Sequence, residues 1–151
     1  MKYARRFVKF VTFSLVLTSF AVEAFERGAL TIETQTGKHV FVVDLANTPD
    51  DRRQGLMGRT DIAPGYGMLF DFRGHERVAM WMKDTPTSLD MIFINEHGNV
   101  TGIVANTKPF SMNIIQVEGS VAAVLEVLAG TANTLGIVKG NMVRHPIFEA
   151  P

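Results

Sequence analysis

Glu126 stands in the run Val124-Leu125-Glu126-Val127-Leu128, where each neighbour is apolar. An unpaired buried carboxylate costs several kcal/mol, so this residue requires a partner or a ligand. Arg59 is a candidate partner, because its planar guanidinium matches a carboxylate. Asp90, in Leu89-Asp90-Met91-Ile92, is a second acid among apolar neighbours. Taken together, Asp90 and Glu126 would serve as acid and base of a hydrolase acting on a saccharide or peptide. Such pairs stand roughly 5–9.5 Å apart. Taken separately, Asp90 would cap the loop Pro86-Thr87-Ser88 through backbone amides, and an Arg59–Glu126 pair would be an ion pair fixing a helix to a sheet.

Trp81 is the single tryptophan, between Met80 and Met82. On a strand it points opposite to both methionines. Either the methionines are core and Trp81 faces out or lines a groove, or Trp81 is core and the thioethers are presented together. The first arrangement, with Lys83 and Thr85 at the strand end, suits a sugar or peptide ligand. The second would suit Cu(I), which soft thioethers select. Methionine scattered among Leu and Phe also fills core gaps, which is its commoner role.

The remaining chemistry is defined by exclusion. Cysteine is absent, which removes disulfides, thiolate metal sites and a cysteine nucleophile. No dinucleotide fingerprint, phosphate loop, nucleophile elbow or zinc-protease spacing occurs. Lysine plus arginine and aspartate plus glutamate both number 15, so the formal net charge is zero. That gives no electrostatic case for a nucleic-acid binder. No cofactor and no metal centre are expected.

The elements must be built from residues beyond a leader. Lys2, Arg5, Arg6 and Lys9 precede an apolar run of about 13 residues, followed by Val22-Glu23-Ala24. Basic, apolar, small is the order of a secretory signal peptide, and the run is short of the roughly 20 residues of a membrane span. Cleavage is expected after Ala24, with a periplasmic destination and no membrane span in the mature chain. The Arg5-Arg6 pair lies one residue off a twin-arginine spacing, so the general secretory route is favoured. Residues 25–151 then hold 11 basic and 14 acidic residues, a net of −3. They form one domain with a core of about residues 28–148. Hydrophobic residues at 46% and charged residues at 20% are the balance of a globular chain.

Within it, residues 29–34 and 39–45 read as a hairpin, and Thr48-Pro49-Asp50-Asp51 as the capped start of a helix of about ten residues ending at Gly58. Residues 67–72, 77–83, 89–94, 100–105, 121–128 and 142–147 read as strands, with one helical turn at 131–135. The fold class is mainly β: a single antiparallel barrel or two-layer roll with one or two short helices. Strands such as 91–94 are apolar on both faces, which an open sheet with one wet face would not bury.

The blocks Gly55-Leu56-Met57-Gly58-Arg59, Gly67-Met68-Leu69-Phe70, Met80-Trp81-Met82-Lys83-Asp84-Thr85 and Leu89-Asp90-Met91-Ile92-Phe93 recur in a known pattern. Leu125-Glu126, Ala129-Gly130, Gly136 and Gly140 complete it. Over about Leu45 to Val143 the chain resembles the domain of unknown function 192 family, small and often exported bacterial and archaeal proteins. Asn141 departs from it, where an acid is common after the glycine. The resemblance implies a compact β-rich fold and no particular activity. The leading expectation is a non-catalytic binding or interaction module of the periplasm or cell envelope. Its groove would lie near Arg59, Trp81, Lys83, Thr85, Asp90 and Glu126, and its partner would be a small ligand or an envelope protein. The alternatives are the Asp90/Glu126 hydrolase and the Met80/Met82 copper module.

Overall fold

The computed structural model describes residues 25–75 and 77–149. The leader, and with it the expected cleavage after Ala24, lies outside them. Strands β1 (Glu26–Thr34) and β2 (Gly37–Ala46) form the expected hairpin. Helix α1 (Pro49–Gln54) is shorter than the ten residues expected. Thr48 Oγ1 accepts from the Asp51 amide and the Asp51 carboxylate accepts from the Thr48 amide, a reciprocal cap that starts it. Gly55 ends it three residues before Gly58, with φ of +45°. A side chain there would meet the Phe70 ring at 3.0 Å, so the close approach of backbone to ring also requires glycine.

The chain continues through β3 (Tyr66–Asp71), β4 (Leu89–Ile94), β5 (Val100–Val104), β6 (Ala123–Leu128), α2 (Thr131–Leu135) and β7 (Met142–Arg144). One sheet holds all seven strands in the order β5-β4-β6-β3-β2-β1-β7. Its neighbours are antiparallel except β2 and β3, which run parallel because α1 and the segment after it carry the chain back to the same end. The outer strands approach each other through an Asn99–Met142 bridge and the bonds Val100 N to Asn141 O and Val143 N to Gly98 O. The sheet is a nearly closed barrel, which accounts for strands apolar on both faces.

Alternation along each strand divides the core in two. Leu69, Ile92, Leu125 and Val127 face the interior with Leu30, Phe41 and Val43, and Ala132 of α2 joins them. Met68, Phe70, Met91, Phe93 and Val124 face outward and are covered by Leu56, Ile62, Met80 and Met82. The last two belong to residues 77–83, expected as a strand. Outside the sheet, this segment is pinned to residues 110–115 by Met80–Ile115 bonds of 3.0 and 2.9 Å and by Met82 N to Ser111 O. Asn141 stands where the resemblance leads one to expect an acid, and its side-chain oxygen accepts from the Val138 amide at 2.7 Å, a turn bond a carboxylate would also make.

Candidate functional site

The outer core layer is interrupted by a cleft of about 230 Å³ between α1, the 79–85 segment and the outer face of β3 and β6. Glu126 stands on its floor. β6 is central, flanked by β3 and β4, and Glu126 lies opposite Met68 on one side and Met91 on the other. Phe70, Met57 and Met80 line the walls, and Trp81, Lys83, Arg52 and Arg53 the mouth.

Glu126 is 4% exposed, and no hydrogen bond or neighbouring charge offsets its burial among the described residues. Desolvation alone pushes its carboxyl up to about 8. No polar side-chain atom among the described residues is both sealed from solvent and unpaired. The Glu126 oxygens therefore open into the cleft. At neutral pH the floor carries an uncharged acid, able both to donate and to accept a hydrogen bond.

Of the expected site residues, Trp81, Lys83, Thr85 and Glu126 converge here. Trp81 is 41% exposed while Met80 and Met82 are buried, the first of the two arrangements considered. The Lys83 ammonium lies 5.7 Å from the centre of the Trp81 ring. Buried Thr85 donates its hydroxyl to the Lys83 carbonyl and receives the Phe110 amide on its own carbonyl.

Arg59 does not meet Glu126. Its guanidinium bonds Asp61 at 2.7 Å and lies over the Tyr66 ring, whose hydroxyl donates to buried Asp44. Burial alone would raise the Asp44 carboxyl, but hydrogen bonds from Arg27 and Tyr66 outweigh it and hold the group below its ordinary value. Asp44, in the strand run Val42-Val43-Asp44-Leu45, carried the same signal as Glu126, a charge inside an apolar strand, and was missed.

Asp90 is also elsewhere. It pairs across the strands with Val127, not with Glu126, so it points into the barrel while Glu126 points out. Its oxygens accept from the Asn106 and Ala132 amides, each at 2.9 Å. It thus ties the loop after β5 and the first turn of α2, rather than capping residues 86–88. An acid–base pair of Asp90 and Glu126 is ruled out, because the sheet lies between them. The Met80/Met82 copper site is corrected as well: Met82 is wholly buried and its sulfur accepts from the Thr107 hydroxyl at 3.2 Å. The residues that sequence reasoning omitted from the site, Arg52, Arg53, Met57 and Phe70, come from α1, the segment after it and β3. Only the parallel return of β3 brings them together.

The family description DUF192, an uncharacterized ACR, matches residues 31–145. A crystal structure from Sinorhizobium meliloti 1021, of a protein provisionally designated a transcription regulator, is 41% identical with a TM-score of 0.78. The match covers 83% of this chain and 98% of that one. A protein of unknown function from Novosphingobium aromaticivorans DSM 12444 is 32% identical with a TM-score of 0.79, over 83% of this chain and 90% of its own. No curated protein matches.

Proposed function

The chain belongs to the DUF192 family, an uncharacterised one, and we propose that it is a non-catalytic binding module of the cell envelope whose small ligand enters the Glu126 cleft. The observation that carries this reading is the unpaired acid on the floor of an open, largely apolar cleft. A few convergent polar groups in an apolar concavity are the usual anatomy of a small-molecule site. Catalysis needs a second group in reach. Beside Glu126, the ionisable side chains lining this cleft are the cations Arg52, Arg53 and Lys83, and Asp90 is behind the sheet. The regulator designation of the Sinorhizobium protein gains no support from charge here. Residues 25–151 carry a net charge of −3, and Arg27, Arg53, Arg59, Arg73 and Arg144 each stand beside an acid, which leaves no basic excess for a polyanion. Export rests on the leader pattern of residues 1–24. No helix of the described residues is long and apolar enough to cross a membrane.

The test uses protein purified from the envelope fraction of producing cells, with N-terminal sequencing to check for a start at Phe25. Peptidoglycan fragments, oligosaccharides, short peptides and small apolar amides are screened by melting temperature. A ligand at 100 times its Kd adds about 2.7 kcal/mol, which raises the Tm of a domain this size by roughly 10 °C. Trp81, the only tryptophan, lies at the cleft mouth, so the same ligand must alter its fluorescence. A ligand that stabilises the protein and leaves Trp81 emission unchanged would place the site elsewhere. A cytoplasmic protein with residues 1–24 intact would end the envelope assignment.

A further inference from the structure

We infer that the cleft selects a small neutral molecule with an apolar body and an amide-type head, a carbonyl beside an N–H, and discriminates against amines. The inference rests on the cleft being the ligand site and adds the chemistry of the ligand.

Three observations converge on it. First, the charged groups that line the cleft with Glu126 are all cations, none of them close enough to offset its burial, and each is already engaged. The Arg52 guanidinium donates to the Asn47 and Asp71 carbonyls and lies over the Phe72 ring. Arg53 pairs with Asp50, and Lys83 lies against Trp81. From β3 and β4 the facing neighbours are Met68 and Met91, which carry no charge. A cationic ligand would share the cleft with three positive side chains. Second, an ammonium–carboxylate pair in this site would strip both ions of water, a loss that their attraction barely offsets. A protonated carboxyl presents an O–H donor and a carbonyl acceptor side by side. An amide-type head answers both with no charge to desolvate. Third, the walls are Phe70, Leu56, Met57 and Met80, and about 230 Å³ is small for a ligand pocket. Such a space favours a compact apolar body over a saccharide chain.

The probes are 3-phenylpropionamide and 3-phenylpropylamine, matched in body and different in head. They are titrated into the exported protein by Trp81 fluorescence at about pH 6.5 and about pH 9.5. The amide should bind at least about tenfold more tightly than the amine at the lower pH. Its affinity should fall about thirtyfold at the higher pH, as an acid titrating near 8 loses its proton. Glu126→Gln keeps a donor and an acceptor at the same place, so it should retain amide binding and lose the pH dependence. Glu126→Leu should lose the preference for the amide. An amine that binds more tightly, or an amide affinity flat with pH, would overturn the ligand class and leave the cleft as a site. Failure of both probes to bind would also overturn it. The cleft reading falls with it only if the wider ligand screen is silent too.

Discussion

Asp90 and Glu126 stand on adjacent strands, one residue out of register, and both are almost wholly withdrawn from water. The barrel gives Asp90 two backbone amides and gives Glu126 nothing. The unpartnered Glu126 makes stability depend on pH. The Glu126 carboxyl titrates near 8 when folded, against 4.5 as a free group. Between those values the folded state holds a proton that the unfolded state has released, so stability from this group falls as pH rises. Below about pH 4.5 both states are protonated and the penalty is absent. Above about pH 8 it is complete, on the order of 5 kcal/mol at about 1.4 kcal/mol per unit. Glu126→Gln removes the titration. In urea melts from pH 4.5 to 9 the variant should match the wild type at the acid end and exceed it progressively toward the alkaline end. Parallel curves across that range would mean that the Glu126 carboxyl is already paired in solution.

At the scale of elements, the 80–85 and 110–115 segments form a ribbon that roofs the outer core and carries Met80 and Trp81 to the cleft. Phe110 closes it with its amide on the Thr85 carbonyl, at φ of +58° and 63% exposed. A non-glycine residue in that region is strained by roughly 1–2 kcal/mol, and an exposed ring recovers little by packing. Phe110→Gly should therefore be more stable than Phe110→Ala by about 0.5–1 kcal/mol, after the entropy of glycine is deducted. Equal denaturation midpoints for the two would show that the ribbon relaxes out of this conformation. The ribbon also marks where the sequence was hard to read. Residues 77–83 have the apolar content of a strand, yet their partner, Phe110-Ser111-Met112-Asn113-Ile114, turns its apolar members to solvent and meets them through only a few bonds. The β1–β2 hairpin, β4–β5 and the turn at 131–135 were legible, because local turn and cap residues define them. Of the candidate residues lining the cleft, Glu126 and Lys83 stood out as charges among apolar neighbours, Trp81 as the single tryptophan between two methionines, and Thr85 by its place at a segment end. Asp90 carried the same anomaly but sits on the other face, a matter of strand register that no local pattern fixes. Arg59 was a candidate for Glu126 because its planar guanidinium suits a carboxylate, and Asp61, two residues away, holds it instead.

At the scale of the whole molecule, both core layers depend on the barrel staying shut, and the seam between β5 and β7 is its thinnest part. Three strand residues form β7, and the seam consists of one isolated bridge with a few bonds around it. Gly98 is central to it. Its carbonyl receives the Val143 amide at 2.7 Å, its φ is +79°, and a Cβ placed on it would stand 2.5 Å from the Val143 carbonyl oxygen. Gly98→Ala therefore adds backbone strain and forces β7 away. Together these should cost about 2–4 kcal/mol, the strain plus one or two lost bonds. Gly119→Ala is the control, with φ of +98°, open space around its Cβ and no bond to the seam, so it should cost only the strain. Hydrogen exchange separates local opening from global loss. In Gly98→Ala the Val100 and Val143 amides should exchange at least about thirtyfold faster than in the control, while Leu125 in the central strand stays protected. Under that outcome the seam opens alone, and the Glu126 cleft, built on the central strands β3 and β6, keeps its shape. Equal acceleration at Leu125 would mean that the barrel unfolds as one cooperative unit. A change at the seam would then reach the cleft through stability alone.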